Sequence, residues 1–96
     1  MNLGSVIKKI RQERGQTQTE FAAASGITQT YLSQIESNAK EPNFSTLREI
    51  SNVINIPLPI LVFLSLNKED IDAQKRADFD LIAPKVKDLI SEFFGL

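Results

Sequence analysis

The stretch Gln18 to Glu36, QTEFAAASGITQTYLSQIE, reads as two short helices joined by a tight turn. Thr17 to Glu20 has the T-x-x-E form of a capping box, in which the Thr17 hydroxyl accepts from the Glu20 amide and the Glu20 carboxylate reaches back to the Thr17 amide. That predicts a helix starting at about Gln18. Phe21 gives it an apolar contact, and Ala22, Ala23 and Ala24 keep it thin. Gly26 ends it, because the turn needs a positive φ that glycine adopts without steric cost. Thr28 is a good N-cap for the next helix, in which Leu32 and Ile35, three apart, turn inward.

The outer face of that second helix carries Gln29, Thr30, Ser33 and Gln34, at i, i+1, i+4 and i+5. They form one stripe of amides and hydroxyls at its N-terminal half. Such groups donate and accept at base edges, and glutamine pairs bidentately with adenine. A glutamine-rich face alone reads as the solvated side of an ordinary bundle. The capping box, thin alanine helix, turn glycine and polar stripe in this order point instead to helix-turn-helix geometry.

Outside this stretch, composition narrows the possibilities. Ninety-six residues make one domain, short enough that dimerisation would add much to its stability. The absence of cysteine and histidine removes disulfides, thiol chemistry, zinc–thiolate sites and the commonest general base, so no metal or cofactor is expected. No signal segment is visible at the start, and a cytoplasmic location is expected. The longest apolar run, Ile56 to Leu66, is too short to cross a bilayer and contains Pro57 and Pro59. Net charge is −1, yet it is unevenly spread. The first sixteen residues carry Lys8, Lys9, Arg11 and Arg14 against Glu13 alone, whereas the last third is acidic. A basic first helix beside the turn motif can hold phosphates while the acidic tail faces away.

Leu3, Val6, Ile7 and Ile10 sit at helical spacing in a first helix over Leu3 to Arg14, stopped by Gly15. Ser37 and Asn38 close the recognition-type helix, asparagine being the best non-glycine residue for a left-handed cap. After a loop holding Lys40 and Pro42, Asn43 caps a fourth helix to about Asn55, with Phe44, Leu47, Ile50, Val53 and Ile54 as its apolar stripe. Pro59 suits the first turn of a fifth helix that is apolar almost all round and must be covered on every side. The chain divides at 1–66 and 67–96. Lys68 to Ile82 is helix-compatible, Pro84 is expected to kink or divide the segment, and Val86, Leu89, Ile90, Phe93 and Phe94 give a second amphipathic stretch.

From Ile7 to Pro57, a little over half the chain, the sequence resembles the Xre family of bacterial and phage DNA-binding regulators, of lambdoid repressor and Cro type. The matching features are an arginine in the first helix, Q-x-x-F-A before a turn glycine, an apolar–Ser–Gln–Ile–Glu ending and a proline before the fourth helix. The resemblance implies an all-α fold, a five-helix lambda-repressor-like bundle, here with an appended C-terminal helical segment. It implies that Gln29, Thr30 and Gln34, with Ser33 beside them, read bases. Gln18 matches a glutamine that clamps a phosphate and supports the first base-reading glutamine. Thr28, Ser37, Asn38, Lys40 and Asn43 fall where the backbone is tracked, with Arg11 a further phosphate contact. Arg11 and Glu36 match a structural ion pair. The chain departs from the family in having Asn38 where glycine is commoner and Lys40 as the only loop cation, which suggests fewer phosphate contacts.

Double-stranded DNA is therefore the expected partner, and no enzymatic activity is expected. The clusters Glu69–Asp70–Asp72 and Asp78–Asp80 read as solvated charge, since calcium-loop ligands and glycine are not at the required offsets. Within the DNA-binding class, the antitoxin of a toxin–antitoxin pair, gripping a toxin with another segment, and a controller of a restriction–modification operon share the same motif. A protein-interaction module without DNA binding is the reading from a different class. Homodimerisation through the C-terminal half is expected, on Leu58, Leu61, Val62, Phe63, Leu66, Val86, Leu89, Ile90, Phe93 and Phe94, unless the tail folds back over its own fifth helix. Two copies would read a near-palindrome.

Overall fold

The computed structural model describes residues 1–96, all of them as helix, turn or loop. Six helices follow in order: α1 (Leu3–Glu13), α2 (Gln18–Ala24), α3 (Gln29–Glu36), α4 (Phe44–Ile54), α5 (Leu58–Ser65) and α6 (Arg76–Phe94). Each early boundary has a local cause. The Thr17 hydroxyl accepts from the Glu20 amide at 3.1 Å, and the Glu20 carboxylate accepts from the Thr17 amide at 3.2 Å. Thr28 and Asn43 cap α3 and α4 in the same way, from Tyr31 N and Thr46 N. Gly15, Gly26, Asn38 and Asn55 take left-handed backbone where α1 to α4 end.

The core is shared by all five helices of the bundle: Ile7, Ile10, Phe21, Ala22, Leu32, Ile35, Ile50, Ile54, Ile56 and Leu61. α1 lies across α3 and α5, α2 braces α3, and α4 meets α5 at a 99° bend. No single helix is long and apolar enough to cross a membrane. Arg14 Nη1 donates to the Ile54 carbonyl and ties the end of α1 to the end of α4. Ser51 Oγ donates to the Ile56 carbonyl and holds the α4–α5 corner.

Three expectations change. Phe44 belongs to the apolar stripe of α4 by spacing, but it is 61% exposed. The first turn of α4 overshoots the core, and the Arg48 guanidinium, 4.9 Å from the ring centroid, covers Phe44 instead. Leu61, grouped above with the dimer surface, is completely buried in its own chain. The third change concerns the tail. Pro84 does not divide it, because α6 runs unbroken for 19 residues with Pro84 inside. Pro84 and Asp80, whose carbonyl the missing N–H leaves without a helical donor, both lie on exposed residues where water is at hand. The break falls earlier, where short 3₁₀ turns at Lys68–Asp70 and Ala73–Lys75 flank extended Ile71 and Asp72. Arg76 Nε donates to the carbonyls of Lys68 and Ile71 and pins this reversal.

The reversal brings α6 back over the bundle. Phe94 and Leu96 pack against the core, and Ala83 is buried. Leu66 lines a groove with Phe79 and Ala83, and Leu64 lines another with Ser91 and Leu96. The largely apolar α5 packs on α1 and α4, and Leu58, Val62, Phe63 and Leu66 stay half-buried.

Candidate nucleic-acid interface

Gln18 and Gln29 are each the first residue of a helix, placed there by the N-caps Thr17 and Thr28. That repeated Thr–Gln pair puts both amides at the same edge of the molecule. Gln29 Nε2 donates to Gln18 Oε1 at 3.3 Å, and Gln18 Nε2 donates in turn to Glu36 Oε1 at 3.0 Å. Behind them the Arg11 guanidinium holds Glu36 with two bonds, Nε to Oε2 at 2.7 Å and Nη2 to Oε1 at 2.9 Å. Arg11 Nη1 also donates to the Gln16 carbonyl at 2.8 Å.

This is a continuous chain of polar contacts from a buried ion pair to the exposed start of α3. Arg11 is 7% exposed and Glu36 4%. A charge pair so buried is tolerable because its geometry is two-toothed and its remaining lone pairs find donors. The hydrogen bond to Glu36 raises the Arg11 pKa further, outweighing the lowering by burial. Arg11 is therefore a scaffold residue, with its guanidinium turned inward. At the edge, hydrogen bonds within the capping box, to the hydroxyl and then the backbone of Thr17, hold the Glu20 carboxyl below its usual range.

The remaining polar side chains divide by what they already hold. Thr30 and Ser33 are exposed and Gln34 is half-buried, and none has a side-chain hydrogen bond within the molecule. Their donors and acceptors are free for a ligand. The Gln34 carbonyl accepts from Ser37 Oγ, Ala39 N and Lys40 N, which folds the loop after α3 close to its end. Lys40 stands exposed on that loop without an ion pair, and Asn43 keeps its amide nitrogen free after capping α4. Asn38 differs. Its Oδ1 accepts from Gly4 N at 3.1 Å and its Nδ2 donates to Ser5 Oγ at 3.2 Å. The amide is committed to the start of α1, where Asn2 supplies no side-chain cap.

Sequence reasoning missed Gly4, which is buried where α1 crosses the end of α3. Nothing local marks it, since it sits inside a helix with no positive φ. Asn38 at a position where glycine is commoner was the available signal that this junction is built differently.

A family model described as helix-turn-helix matches residues 7–61. The chain belongs to the helix-turn-helix family. This helix-turn-helix chain is 44% identical over 59 residues to the ImmF control region 10 kDa protein of Bacillus phage phi105, covering 62% of this chain and 66% of that one. It is 32% identical over 92 residues to the HTH-type transcriptional regulator ImmR of Bacillus subtilis strain 168, covering 96% and 68%. It is 29% identical over 80 residues to the immunity repressor protein of phage phi105, covering 83% and 53%. The chain thus spans between about half and about two thirds of the length of these three relatives. No solved structure matches it.

Proposed function

We propose that this chain is a sequence-specific DNA-binding transcriptional regulator that lays α3 in the major groove. The observation that carries the proposal is the braced edge of α3. Gln29 is held by Gln18 on the buried Arg11–Glu36 pair, while Thr30, Ser33 and Gln34 beside it have no partner in the molecule. Amides and hydroxyls positioned in this way suit base edges. Lys40, Ser37, Thr28 and Asn43 are the groups that reach phosphates and set the register, with Gln18 at the rim. Arg11 and Asn38 contribute by holding the frame. The names of the phage and bacterial relatives, a phage immunity repressor among them, support a repressor role. Two copies read a near-palindromic operator with half-sites about one helical turn apart, because one such domain touches only a few base pairs.

The test is selection of bound duplexes from a random pool, repeated with two variants. Gln29→Ala costs roughly 1–3 kcal/mol on the preferred site and relaxes preference at one position. Lys40→Ala weakens all sequences alike and flattens the salt dependence by about one unit. Unchanged preference in Gln29→Ala would remove α3 as the reader. A chain with no duplex affinity to lose as salt rises would instead be an interaction module without DNA contacts.

A further inference from the structure

Six large apolar side chains are exposed on this molecule, and four of them lie on α6: Leu81 (65%), Ile82 (55%), Leu89 (66%) and Phe93 (83%). α6 already has a face turned inward: Ala83 is buried, Phe79 and Ile90 are half-buried, and Phe94 packs against the core of its own bundle. Ile82, Leu89 and Phe93 form a second stripe next to it. With half-buried Val86 they run 82, 86, 89, 93, steps of four, three and four, which is the alternation of a two-helix seam. Folding of one chain does not need this stripe, and a single solvated helix face gains nothing from it.

We propose that this stripe is the seam of a homodimer in which α6 packs antiparallel on α6 of a second copy. Charge selects the occupant and the direction. Lys85 and Glu92, both exposed, flank the stripe on the side away from the bundle, seven residues apart. In an antiparallel pair with Ile82 opposite Phe93 of the partner subunit, Val86 falls opposite Leu89 of the partner subunit. Lys85 then faces Glu92 of the partner subunit, and the same contact repeats on the other side of the two-fold axis. The surface is complementary to itself, as a closed two-fold interface requires. A parallel pair would bring Lys85 beside Ile90 of the partner subunit and leave both charges without a mate. Lys87, Asp88 and Ser91 of α6 border a groove with α1, from Ser5 to Glu13, and with Leu64 of α5, whereas α3 packs on α1 and α2, so the seam leaves the reading edge free. The inference deepens the two-copy reading of the operator given above and names the surface that joins the copies.

The test uses the full chain, and sedimentation equilibrium at micromolar concentration reads its mass. The parent should weigh two chains. Leu89→Asp, at a residue two-thirds exposed and so outside the fold's core, should raise the dissociation constant at least about tenfold while keeping the parent's helical content. Lys85→Glu should weaken the dimer, and adding Glu92→Lys should restore it. The chain has no cysteine, so direction can be read by crosslinking. Ile82→Cys mixed with Phe93→Cys should form a disulfide, and Ile82→Cys alone should not. A parent that weighs one chain both free and on duplex DNA, or a Leu89→Asp chain that dimerises like the parent, overturns the seam. Crosslinking by Ile82→Cys alone overturns the antiparallel direction. DNA reading is scored separately, by whether monomeric Leu89→Asp still prefers the parent's half-site sequence. The mass decides the seam whatever that preference is.

Discussion

Gly4 lies directly against the carbonyl oxygen of Ile35: a Cβ at Gly4 would stand 2.0 Å from that oxygen and 2.6 Å from Asn38 Oδ1. The obstacle is mostly backbone, so no rotamer change relieves it. Alanine in a helix interior is ordinarily better than glycine by up to about 1 kcal/mol. Here the clash forces α1 away from the end of α3. Gly4→Ala should destabilise the chain by roughly 1–3 kcal/mol net, with a melting temperature lower by several degrees. A variant that melts at or above the parent would show that α1 shifts freely over Ile35.

The two left-handed asparagines should respond differently to glycine. Asn38 has φ 61° and Asn55 φ 57°, so glycine relieves similar backbone strain at both. Asn38, however, gives up bonds to Gly4 and Ser5, whereas the exposed Asn55 side chain makes none. Asn38→Gly should therefore be less stable than Asn55→Gly by about 1–2 kcal/mol in chemical denaturation. Equal midpoints for the two variants would mean that the Asn38 amide does not tie the loop to α1.

Breaking the buried pair should be costly in proportion to what it strands. Glu36→Ala leaves the Arg11 guanidinium 7% exposed without its carboxylate and should lose roughly 3–5 kcal/mol. Replacing both, as Arg11→Met with Glu36→Leu, should cost clearly less than the two single changes added together, because no bare charge remains. If the double change cost as much as the two single changes added together, Arg11 and Glu36 would not be coupled.

Ser25 closes α2 and is 3% exposed, yet its hydroxyl has no hydrogen-bond partner. A buried unpaired hydroxyl is a cost that alanine removes without opening a large cavity. Ser25→Ala should match the parent or gain up to about 1 kcal/mol, read as a melting temperature at or above the parent's. A loss of more than that would mean the hydroxyl is bonded in solution.

Much of the bundle was legible in local chemistry. Thr17, Thr28 and Asn43 each start a helix at the residue expected, and Gly15, Gly26 and Asn38 each end one, because a cap or a left-handed turn needs only neighbours in sequence. The polar stripe on α3 and the partnership of Arg11 with Glu36 were legible too, the first from spacing and the second from the family resemblance. Of the two expectations for Pro84, a division of the helix does not occur, because its effect depends on whether water or a buried neighbour meets the carbonyl it leaves unpaired. Phe44 was misread because periodicity says which way a side chain points, and not whether anything stands there to cover it.

The sequence by itself thus determined the helices, their order and the chemical character of the edge that α3 presents, all of which follow from contacts within one or two turns of chain. Only the tertiary structure decided that Asn38 caps a helix 34 residues away, that Gly4 must be bare, and that Gln18 bridges Gln29 to a buried ion pair. It also decided which face of α6 turns toward the bundle and which apolar side chains on it stay exposed. Those features depend on backbones brought within hydrogen-bond or van der Waals reach by packing, and no short stretch of sequence carries that distance.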